Sequence, residues 1–464
     1  MTKVPIYDVV IVGAGPVGLA TAIGLQKRGL ENILVIDKTR EFRQVGQGFD
    51  LLPNGLKALK LIDPDAYDAV KQSGTLYLAS PDQPSSPSPQ WIYKNTQGEI
   101  LRAVPLSFDH WFKTYGEGRV SIGWYTLQTT LRTLLSESQV QANCRCVNIV
   151  QESDTGYLRI DYQSNGQESP NIYAHWPESF TENSSTEPTS IQSIRAKFVV
   201  AADGINSTVR RLIYPDNPPL YSGYGLIGCT GTEQIPDALA QTIYEKFIGQ
   251  LPLVSIFNQH STQGINNNKS RLILAKRPNH QFAYIMHHCF SVEELTQQSK
   301  PQIIDRTIHI LTQEEFPDEL LELVRLSPAD SMVARPYYIY PVTADLSFPE
   351  TADPQLQKGR IPKLPWHREK IVLAGDSAHG MPPFAGQGAN QGLEDAWCLS
   401  RGISQLFEQG YEEDLEKINE VFDEYEKTRY PIMAQVQQAT LRGLYQTDQE
   451  WQDYNQRIHG RSLS

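Results

Sequence analysis

Cysteine is scarce in this sequence, and the few residues that occur do not form a framework. The five cysteines among 464 residues are scattered and odd in number: Cys144, Cys146, Cys229, Cys289 and Cys398. Such usage is typical of a reducing compartment, where disulfides do not persist. The C-x-C pair at the first two positions offers only two thiols, so we interpret it as packing and expect no metal site. We predict a cytoplasmic protein.

An excess of positive charge and long apolar runs are also missing. The formal net charge of −12 argues against a nucleic-acid partner, which requires a basic surface. No apolar run is long enough to span a bilayer, and Met1 to Tyr7 contain no apolar signal segment. We therefore predict neither a nucleic-acid partner nor a membrane span, and we leave the oligomeric state open.

The clearest pattern that is present lies near the N-terminus. Asp8 to Val12 is typical of a buried strand, and the loop Gly13-Ala14-Gly15-Pro16-Val17-Gly18 follows it directly. Leu19 to Gly29 is typical of a helix, and a second apolar run, Ile33 to Ile36, ends on Asp37. This order of elements is the Rossmann dinucleotide-binding pattern: a strand, a glycine loop, a helix, a second strand and an acidic residue.

Each part of this pattern has a physical role. Gly13 permits the tight turn, Gly15 lets the backbone approach a pyrophosphate, and Gly18 lets the helix pack closely on the strand. Asp37 accepts from ribose hydroxyls, which favours FAD or NAD over NADP. The alternative is a glycine-rich turn in an ordinary α/β unit.

Two further loops also leave strand ends through glycines. Lys197 to Ala201 runs into Asp203-Gly204 and a helix start, and Ile371 to Ala374 runs into Gly375 to Asn390 and a long helix. Because ligands of open α/β sheets lie outside the carboxyl ends of the strands, we expect these loops beside the first one. The alternatives are a plain capped turn and a loop whose glycines serve only its bends.

The rest of the chain divides into an interleaved second domain and a helical end. We predict an α/β fold with a Rossmann-like cofactor domain at 1–73, 120–212 and 366–410, a β-rich substrate domain at 74–119 and 213–365, and a C-terminal helical region at 411–464. The substrate domain contains an aromatic stripe that fits either a core or a pocket: Phe282, Tyr284, Tyr337, Tyr338 and Tyr340.

Three motifs together resemble one enzyme family. GAGPVGLA at Gly13 to Ala20, AADGINSTVRR at Ala201 to Arg211, and GDSAHGMPPFAGQGANQGLEDA at Gly375 to Ala396 are similar to the motifs of the FAD-dependent aromatic hydroxylases, the single-component flavoprotein monooxygenases with the para-hydroxybenzoate hydroxylase fold. Within that family, the third motif and the region from Gly46 to Leu51 look most like the tetracycline-inactivating and zeaxanthin-epoxidase-like branches.

The resemblance implies cofactor contacts along the whole chain. The glycine loop would hold the FAD pyrophosphate, Asp37 the adenosine ribose, Asp376 the ribitol chain, and Pro383 with Gly386 to Asn390 the isoalloxazine. Asp203 matches a motif linked to FAD and the pyridine nucleotide, Arg43 a position associated with NADPH, and Asp50 one that touches flavin. The complete predicted set is Gly13, Ala14, Gly15, Pro16, Val17, Gly18, Asp37, Lys38, Arg43, Gln47, Gly48, Asp50, Gln128, Asp203, Asp376, Pro383, Gly386, Gln387, Gly388, Ala389 and Asn390.

One position departs from the family pattern. The family usually has an FAD-contacting arginine three residues before the leucine that matches Leu127, and here that position is Trp124. Tryptophan cannot replace a bidentate cation, so FAD binding is weaker or another basic residue compensates.

The implied activity is an FAD-dependent monooxygenase. It would use NADPH or NADH as a transient co-substrate and O₂ to hydroxylate or epoxidise a small aromatic or polycyclic molecule. Because the cofactor carries the chemistry, no catalytic side chain stands out, and His379 fits a structural role as well as a catalytic one. The alternatives are another flavin-dependent oxidoreductase or halogenase on this fold, and a non-enzymatic relative.

Overall fold

The computed structural model describes residues 4–39, 48–77, 89–164, 191–232, 235–249, 251, 253–258, 270–277, 281–359, 361, 363–442 and 447–463. The strands are β1 (Ile6–Val12), β2 (Ile33–Ile36), β3 (Gly48–Leu51), β4 (Gln90–Lys94), β5 (Ile100–Pro105), β6 (Val120–Gly123), β7 (Val140–Gln141), β8 (Arg145–Gln151), β9 (Leu158–Gln163), β10 (Ile191–Ala201), β11 (Leu220–Thr232), β12 (Leu253–Ile256), β13 (Arg271–Lys276), β14 (Phe282–His288), β15 (Met332–Ile339), β16 (His367–Arg368) and β17 (Ile371–Leu373).

The α-helices alternate with these strands and then close the chain. They are α1 (Pro16–Lys27), α2 (Pro53–Ile62), α3 (Pro64–Ser73), α4 (Phe108–Tyr115), α5 (Trp124–Arg132), α6 (Thr208–Ile213), α7 (Asp237–Ile243), α8 (Val292–Thr296), α9 (Lys300–Gln313), α10 (Asp318–Arg325), α11 (Pro354–Gln357), α12 (Asp376–His379), α13 (Gly388–Gln409), α14 (Leu415–Arg442) and α15 (Asp448–His459). None of these helices is both long and apolar enough to cross a membrane.

The first sheet brings the three predicted loops to one edge. It has eight strands, and its main path runs β16-β17-β10-β1-β2-β7. Strands β17, β10, β1 and β2 are parallel neighbours, and Val9 to Ile11 at the centre are fully buried. A near-continuous apolar strand is what a parallel sheet covered on both faces requires. The loops after β1, β10 and β17 therefore leave the same end of the sheet.

Small residues let the helices on this sheet approach closely. In α1, a Cβ added at Gly24 would lie 2.5 Å from the Ser400 hydroxyl of α13. Apart from the half-buried Val17, the apolar residues of α1 are buried all round the helix, as expected for an element covered by both the sheet and other helices. This packing places the N-termini of α1 and α13 at the same edge of the sheet.

The second sheet has seven strands in the order β15-β11-β14-β13-β12-β4-β5. One face packs on α7, α9 and α10 through a core that includes Phe282 and Tyr284. The core interpretation of the aromatic stripe is therefore right for these two residues, whereas Tyr337 lies on the opposite face. The predicted α/β class, with a Rossmann-like sheet, an interleaved β-rich part and C-terminal helices, is confirmed. The residue boundaries of the three domains stay a prediction.

Candidate active site

The first glycine loop turns tightly against the second loop. Gly13 has a φ of +111°, and a Cβ there would lie 2.3 Å from the carbonyl oxygen of Ala202. A Cβ at Gly18 would lie 1.9 Å from the carbonyl oxygen of Gly13. Both positions are closed to any side chain, so these two glycines are required by the fold itself.

Gly15 differs, because the space beside it is open. It is the N-cap residue of α1, with φ −72° and ψ 173°, a conformation that any residue can adopt. Apart from the two chain neighbours, no atom of a described residue lies within 4 Å of a Cβ built at this position. Pro16, which has no N–H, and Val17 follow in the first turn, where the N–H groups of the other residues lack intrahelical partners and the helix dipole is positive. This is a cradle for an anionic group such as a phosphate.

Two side chains hold the first glycine loop in place by hydrogen bonds to the backbone of Ala14. The Ala14 N–H donates to the Asp37 carboxylate at 2.6 Å, and the Ala14 carbonyl accepts from Gln128 Nε2 at 2.7 Å. Asp37 also accepts from the Thr39 N–H at 2.7 Å. A carboxylate has about four acceptor positions, so Asp37 retains capacity for ribose hydroxyls. Gln128 is 3% exposed and positions the loop through this contact.

The second loop contains a carboxylate that caps a helix. Asp203 accepts from the Ser207 hydroxyl at 2.5 Å and from the Thr208 N–H at 2.7 Å, at the start of α6. Burial raises the pKa of Asp203, although these hydrogen bonds and the charge of Lys38 oppose that shift. Burial also lowers the pKa of Lys38. The two predicted site residues therefore lie near each other at the edge of the sheet.

The third loop places Asp376 in the cleft. Gly375 has a φ of +60°, and Asp376 begins α12 with its side chain exposed. The surrounding protein nevertheless raises the pKa of the Asp376 carboxyl, mainly by desolvation. A Cβ at Gly388, the first residue of α13, would lie 3.7 Å from Asp376 Oδ1. This carboxylate therefore lies next to the N-terminus of α13.

The segment that the resemblance assigns to the isoalloxazine is held by Asn390. Its Nδ2 donates to the carbonyls of Asp50 at 3.0 Å and Gly386 at 2.8 Å, and its Oδ1 accepts from the Leu52 N–H at 2.8 Å. Gly386 is in the left-handed region at φ +63°, and like Pro383 it is exposed. Because the Asn390 side chain is used within the protein, only its backbone N–H is left for a cofactor.

Comparison with known proteins identifies the family. The family described as "FAD binding domain" matches residues 6–59 and 360–440, which contain the first and third loops. A protein of Gibberella moniliformis named FAD-dependent monooxygenase is 23% identical over 92% of this chain and 83% of its own. The FAD-dependent monooxygenase eupB of a Phoma species is 22% identical over 86% of this chain and 76% of its own. This chain is an FAD-dependent monooxygenase.

Solved structures share the fold of this monooxygenase. The p-nitrophenol 4-monooxygenase PnpA of Pseudomonas putida superposes with a TM-score of 0.61 at 16% identity, over 98% of this chain and 94% of that one. The Klebsiella pneumoniae HpxO complexed with FAD and uric acid gives a TM-score of 0.61 at 15% identity, over 98% and 93% of the two chains. At these identities the likeness concerns the fold alone.

The residues of the monooxygenase fit FAD in two places. The open space at Gly15 suits the pyrophosphate. At the start of α13, Gln387 is 1% exposed and its Nε2 has no hydrogen-bond partner within the described part of the chain. Its Oε1 accepts from Asn54 Nδ2 at 3.1 Å and Gln391 Nε2 at 2.8 Å. A buried donor left unpaired costs free energy, which an acceptor on the cofactor would recover.

Sequence reasoning missed one charged residue of the site. Arg119 is 5% exposed, forms an ion pair with Asp50, and has an Nη1 atom without a partner among the described residues. Strands β3 and β6 are antiparallel, with Leu51 opposite Val120, and this pairing brings the guanidinium to the predicted flavin-facing strand. The absence of arginine at position 124 was the one signal that pointed to another cation. Trp124 is half-buried at the start of α5.

Two predicted contacts, Arg43 and Gln47, lie outside the described residues. Gly48, which follows them, is exposed at the start of β3, and apart from its chain neighbours no atom of the described part of the chain lies within 4 Å of a Cβ built there. Ala389 is half-buried in the first turn of α13. The individual cofactor contacts stay predictions.

The C-terminal helix supports this site through buried hydrogen bonds. His459 Nδ1 lies 2.9 Å from Asn54 Oδ1, while Asn54 Nδ2 donates to Glu394 at 2.7 Å. Lys57 Nζ donates to the carbonyl of His459 at 2.7 Å. Because the Asn54 amide nitrogen faces Gln387 and Glu394, its oxygen faces His459, and the imidazole donates from Nδ1. The helix α15 is thereby connected to the start of α13.

We expect this connection to make the protein sensitive to mild acid. Burial, with smaller effects of Arg461 and Lys57, lowers the pKa of His459 to about 3. Below pH 6.5 the unfolded chain binds a proton that the folded chain excludes, so stability is complete above pH 6.5 and falls as pH decreases toward 3. At pH 5 the loss is about 2 kcal/mol.

Urea unfolding at pH 7 and pH 5 measures this loss. His459→Gln retains an N–H donor for Asn54 but does not titrate, so the free energy of unfolding should change less between the two pH values. The matched control is the exposed His110, changed to Gln, which should keep the wild-type difference. An unaltered pH difference in His459→Gln would contradict the assignment.

Proposed function

We propose that this FAD-dependent monooxygenase uses NADPH or NADH and O₂ to hydroxylate or epoxidise a small aromatic or polycyclic molecule. When bound, FAD would supply the redox chemistry of this reaction, in which the nicotinamide provides two electrons, one oxygen atom of O₂ enters the substrate and the other is released as water. The observation that carries the proposal is the convergence of the loops after β1, β10 and β17 on one sheet edge, beside the open space at Gly15.

The chain's own residues would bind and orient the cofactor and shield it from water. We propose that the glycine loop and the N-terminus of α1 hold the pyrophosphate, that Asp37 binds the adenosine ribose and Asp376 the ribitol. The N-terminus of α13 would present N–H groups and a positive dipole end to a bound isoalloxazine, and would stabilise negative charge there. Arg119 adds a cation on the side of Asp50, which compensates for Trp124.

The decisive experiment mixes the purified protein anaerobically with NADPH, and separately with NADH, while the flavin absorbance is followed. Bleaching that air reverses supports the proposal. Flavin that stays oxidised with both nucleotides, in the presence of candidate substrates, contradicts the use of NAD(P)H. Incorporation of heavy-isotope oxygen from O₂ into a product then separates a monooxygenase from a flavin reductase.

The proposed location and partners rest on cysteine usage and net charge. All five cysteines are free, which supports the proposal of a cytoplasmic, reducing environment. The net charge of −12 supports the proposal that no nucleic acid binds.

A further inference from the structure

The side-chain amide of Gln387 lies at the start of α13, in the segment that we propose to lie against the isoalloxazine. Its neighbours along the chain are the exposed Gly386 and Gly388, where an added Cβ would lie 3.7 Å from Asp376 Oδ1. Gln387 itself is 1% exposed, although glutamine is mostly an exposed residue. A buried amide has one acceptor and two N–H donors to satisfy. Its direction decides which of them the segment offers to a bound group.

The direction of this amide is fixed on one side by Arg429. The oxygen and the nitrogen of an amide have nearly the same shape, so only hydrogen bonds tell them apart. A guanidinium only donates, and Arg429 Nη2 donates to Gln391 Oε1 at 2.6 Å. The nitrogen of the Gln391 amide therefore faces Gln387, and it donates to Gln387 Oε1 at 2.8 Å. Gln387 has to present its oxygen to Gln391 and its Nε2 to the other side.

A second route through Glu394 demands the same direction. The Glu394 carboxylate forms ion pairs with Arg429 and Arg461 and therefore only accepts hydrogen bonds. Asn54 Nδ2 donates to Glu394 Oε1 at 2.7 Å and to Gln387 Oε1 at 3.1 Å. The Asn54 amide cannot reverse, because its oxygen would then face the carboxylate. Both routes thus bring a donor to the oxygen of Gln387.

These two routes leave the nitrogen of Gln387 as a free donor. Its Nε2 has no hydrogen-bond partner within the described part of the chain. The groups that hold the amide are at most 1% exposed: Asn54, Gln391, Glu394 and Arg429. Turning the amide over would place its nitrogen against two other donors, and buried donors without acceptors cost free energy. The donor is therefore held in one direction before any cofactor binds.

We propose that Gln387 Nε2 donates a hydrogen bond to the isoalloxazine and raises its reduction potential, and that Gln391 is the positioning residue that transmits the direction set by Arg429. A donor binds more strongly to a charged acceptor than to a neutral one. Negative charge on the reduced isoalloxazine would therefore strengthen this contact, so the contact favours the reduced state of the cofactor. The inference rests on the proposed function for the place of the isoalloxazine, and it adds to that same site a residue that controls the potential.

Gln387→Met is the first test, because methionine has a similar length and no N–H donor. We expect this variant to bind oxidised FAD roughly 3- to 10-fold more weakly, the usual effect of one hydrogen bond. Reduced FAD should lose about a further 10-fold, which lowers the two-electron reduction potential by about 30 mV. The fluorescence of flavin released on dilution of the loaded protein measures FAD binding. Anaerobic equilibration of the loaded protein with a reference dye measures the potential.

Gln391→Met separates the positioning residue from the contact. Asn54 still donates to Gln387 in this variant, so we expect the potential to fall by only part of the Gln387→Met effect. The double variant should have the potential of Gln387→Met alone, because Gln391 acts only through the Gln387 amide. A purely structural role of Gln391 would reduce stability and leave the potential at the wild-type value, which would overturn its assignment.

Gln405→Met is the matched control. Gln405 lies on the same helix and is exposed, so this variant should keep the wild-type potential and FAD binding. Urea unfolding of each loaded variant shows whether it is folded. If Gln387→Met does not fold, Gln387→Glu replaces it, because a carboxylate still accepts from Asn54 and Gln391. That variant places a negative charge at the cofactor and should lower the potential further.

Two further results would overturn the inference. One is a wild-type reduction potential in Gln387→Met, which would show that Nε2 does not contact the isoalloxazine. The other is a double variant whose potential falls below that of Gln387→Met, which would show that Gln391 acts independently of Gln387. Dye equilibration requires no nicotinamide, O₂ or substrate. Failure here therefore leaves the proposed oxygen transfer intact, and absence of reduction by NADPH leaves the measured potential interpretable.

Discussion

Gly15→Ala is expected to fold like the wild type and to lose FAD. The backbone at Gly15 suits any residue, and among the described residues only its chain neighbours are near the added methyl group. The protein without cofactor should therefore keep its stability to within about 1 kcal/mol, the cost of alanine at a helix N-cap. The methyl group fills the space that we assign to the pyrophosphate. Overpacking of this kind costs about 1–3 kcal/mol, which weakens FAD binding by roughly 10- to 100-fold.

Two other glycines serve as controls. Gly13→Ala places a Cβ 2.3 Å from a backbone oxygen at a φ of +111° and should prevent folding. Gly29→Ala has a φ of +88° with nothing within 4 Å, so it should lose about 1 kcal/mol and keep FAD. The amount of flavin retained on a desalting column measures FAD binding. Urea unfolding of the protein stripped of flavin measures its stability. If Gly15→Ala bound FAD with wild-type affinity, the assignment of the pyrophosphate to this position would be wrong.

Arg429→Met is expected to cost the most stability of any single charge removal that we consider. Arg429 is 1% exposed, donates to Asp395 at 2.8 Å, and forms an ion pair with Glu394. Removing one partner of a buried ion pair costs about 3–5 kcal/mol, because a charge is left without compensation. Thermal and urea unfolding of the FAD-loaded protein measure the loss.

Lys427→Met provides the matched control, since the Lys427 side chain is 81% exposed and its pair with Glu424 spans 3.5 Å. Exposed pairs contribute about 0–1 kcal/mol, so this variant should unfold with the wild type. Equal stability of Arg429→Met and Lys427→Met would show that the buried cluster contributes no net free energy.

The same cluster predicts behaviour at low pH. Burial alone would raise the pKa of Asp395, but its interactions with His379 and Arg429 lower it to about 2. The stabilisation by this carboxylate is therefore complete above its unfolded pKa near 4 and is lost as pH falls toward 2. In Arg429→Met the folded-state pKa of Asp395 should rise toward its unfolded value, so the loss of stability over this pH range should be smaller than in the wild type. His379 lies 2.6 Å from Asp395 inside this cluster, which supports a structural role.

The glycine loops could be predicted from the sequence because their signals are local. Gly13 and Gly18 follow a strand and begin a helix within a few residues, and the fold requires that spacing. The meeting of the three loops was predicted from a general rule about parallel strands, and the order β17-β10-β1 agrees with it.

Contacts that depend on distant pairing could not be predicted. The side chains of Asn390 and Gln128 form hydrogen bonds with Leu52, Gly386 and Ala14 of the protein that the sequence pattern does not reveal, and their contacts with the cofactor stay predictions. Arg119 reaches Asp50 only because β6 pairs with β3. Alternate residues of a strand point to opposite faces, but the sequence does not tell which face of β14 packs into the core. For this reason the aromatic stripe fitted either a core or a pocket.

The long strand β10 also has a consequence for synthesis of the chain. One of its edges pairs with β1, but the other edge, at Val199 to Ala201, waits for β17. At about 5–20 residues per second the ribosome needs roughly 10–30 s to add the residues that separate them. During that time the nascent chain presents an unpaired apolar edge, which is a template for aggregation. Expression of this enzyme should therefore depend on chaperone supply, and fragments that end before residue 371 should be insoluble.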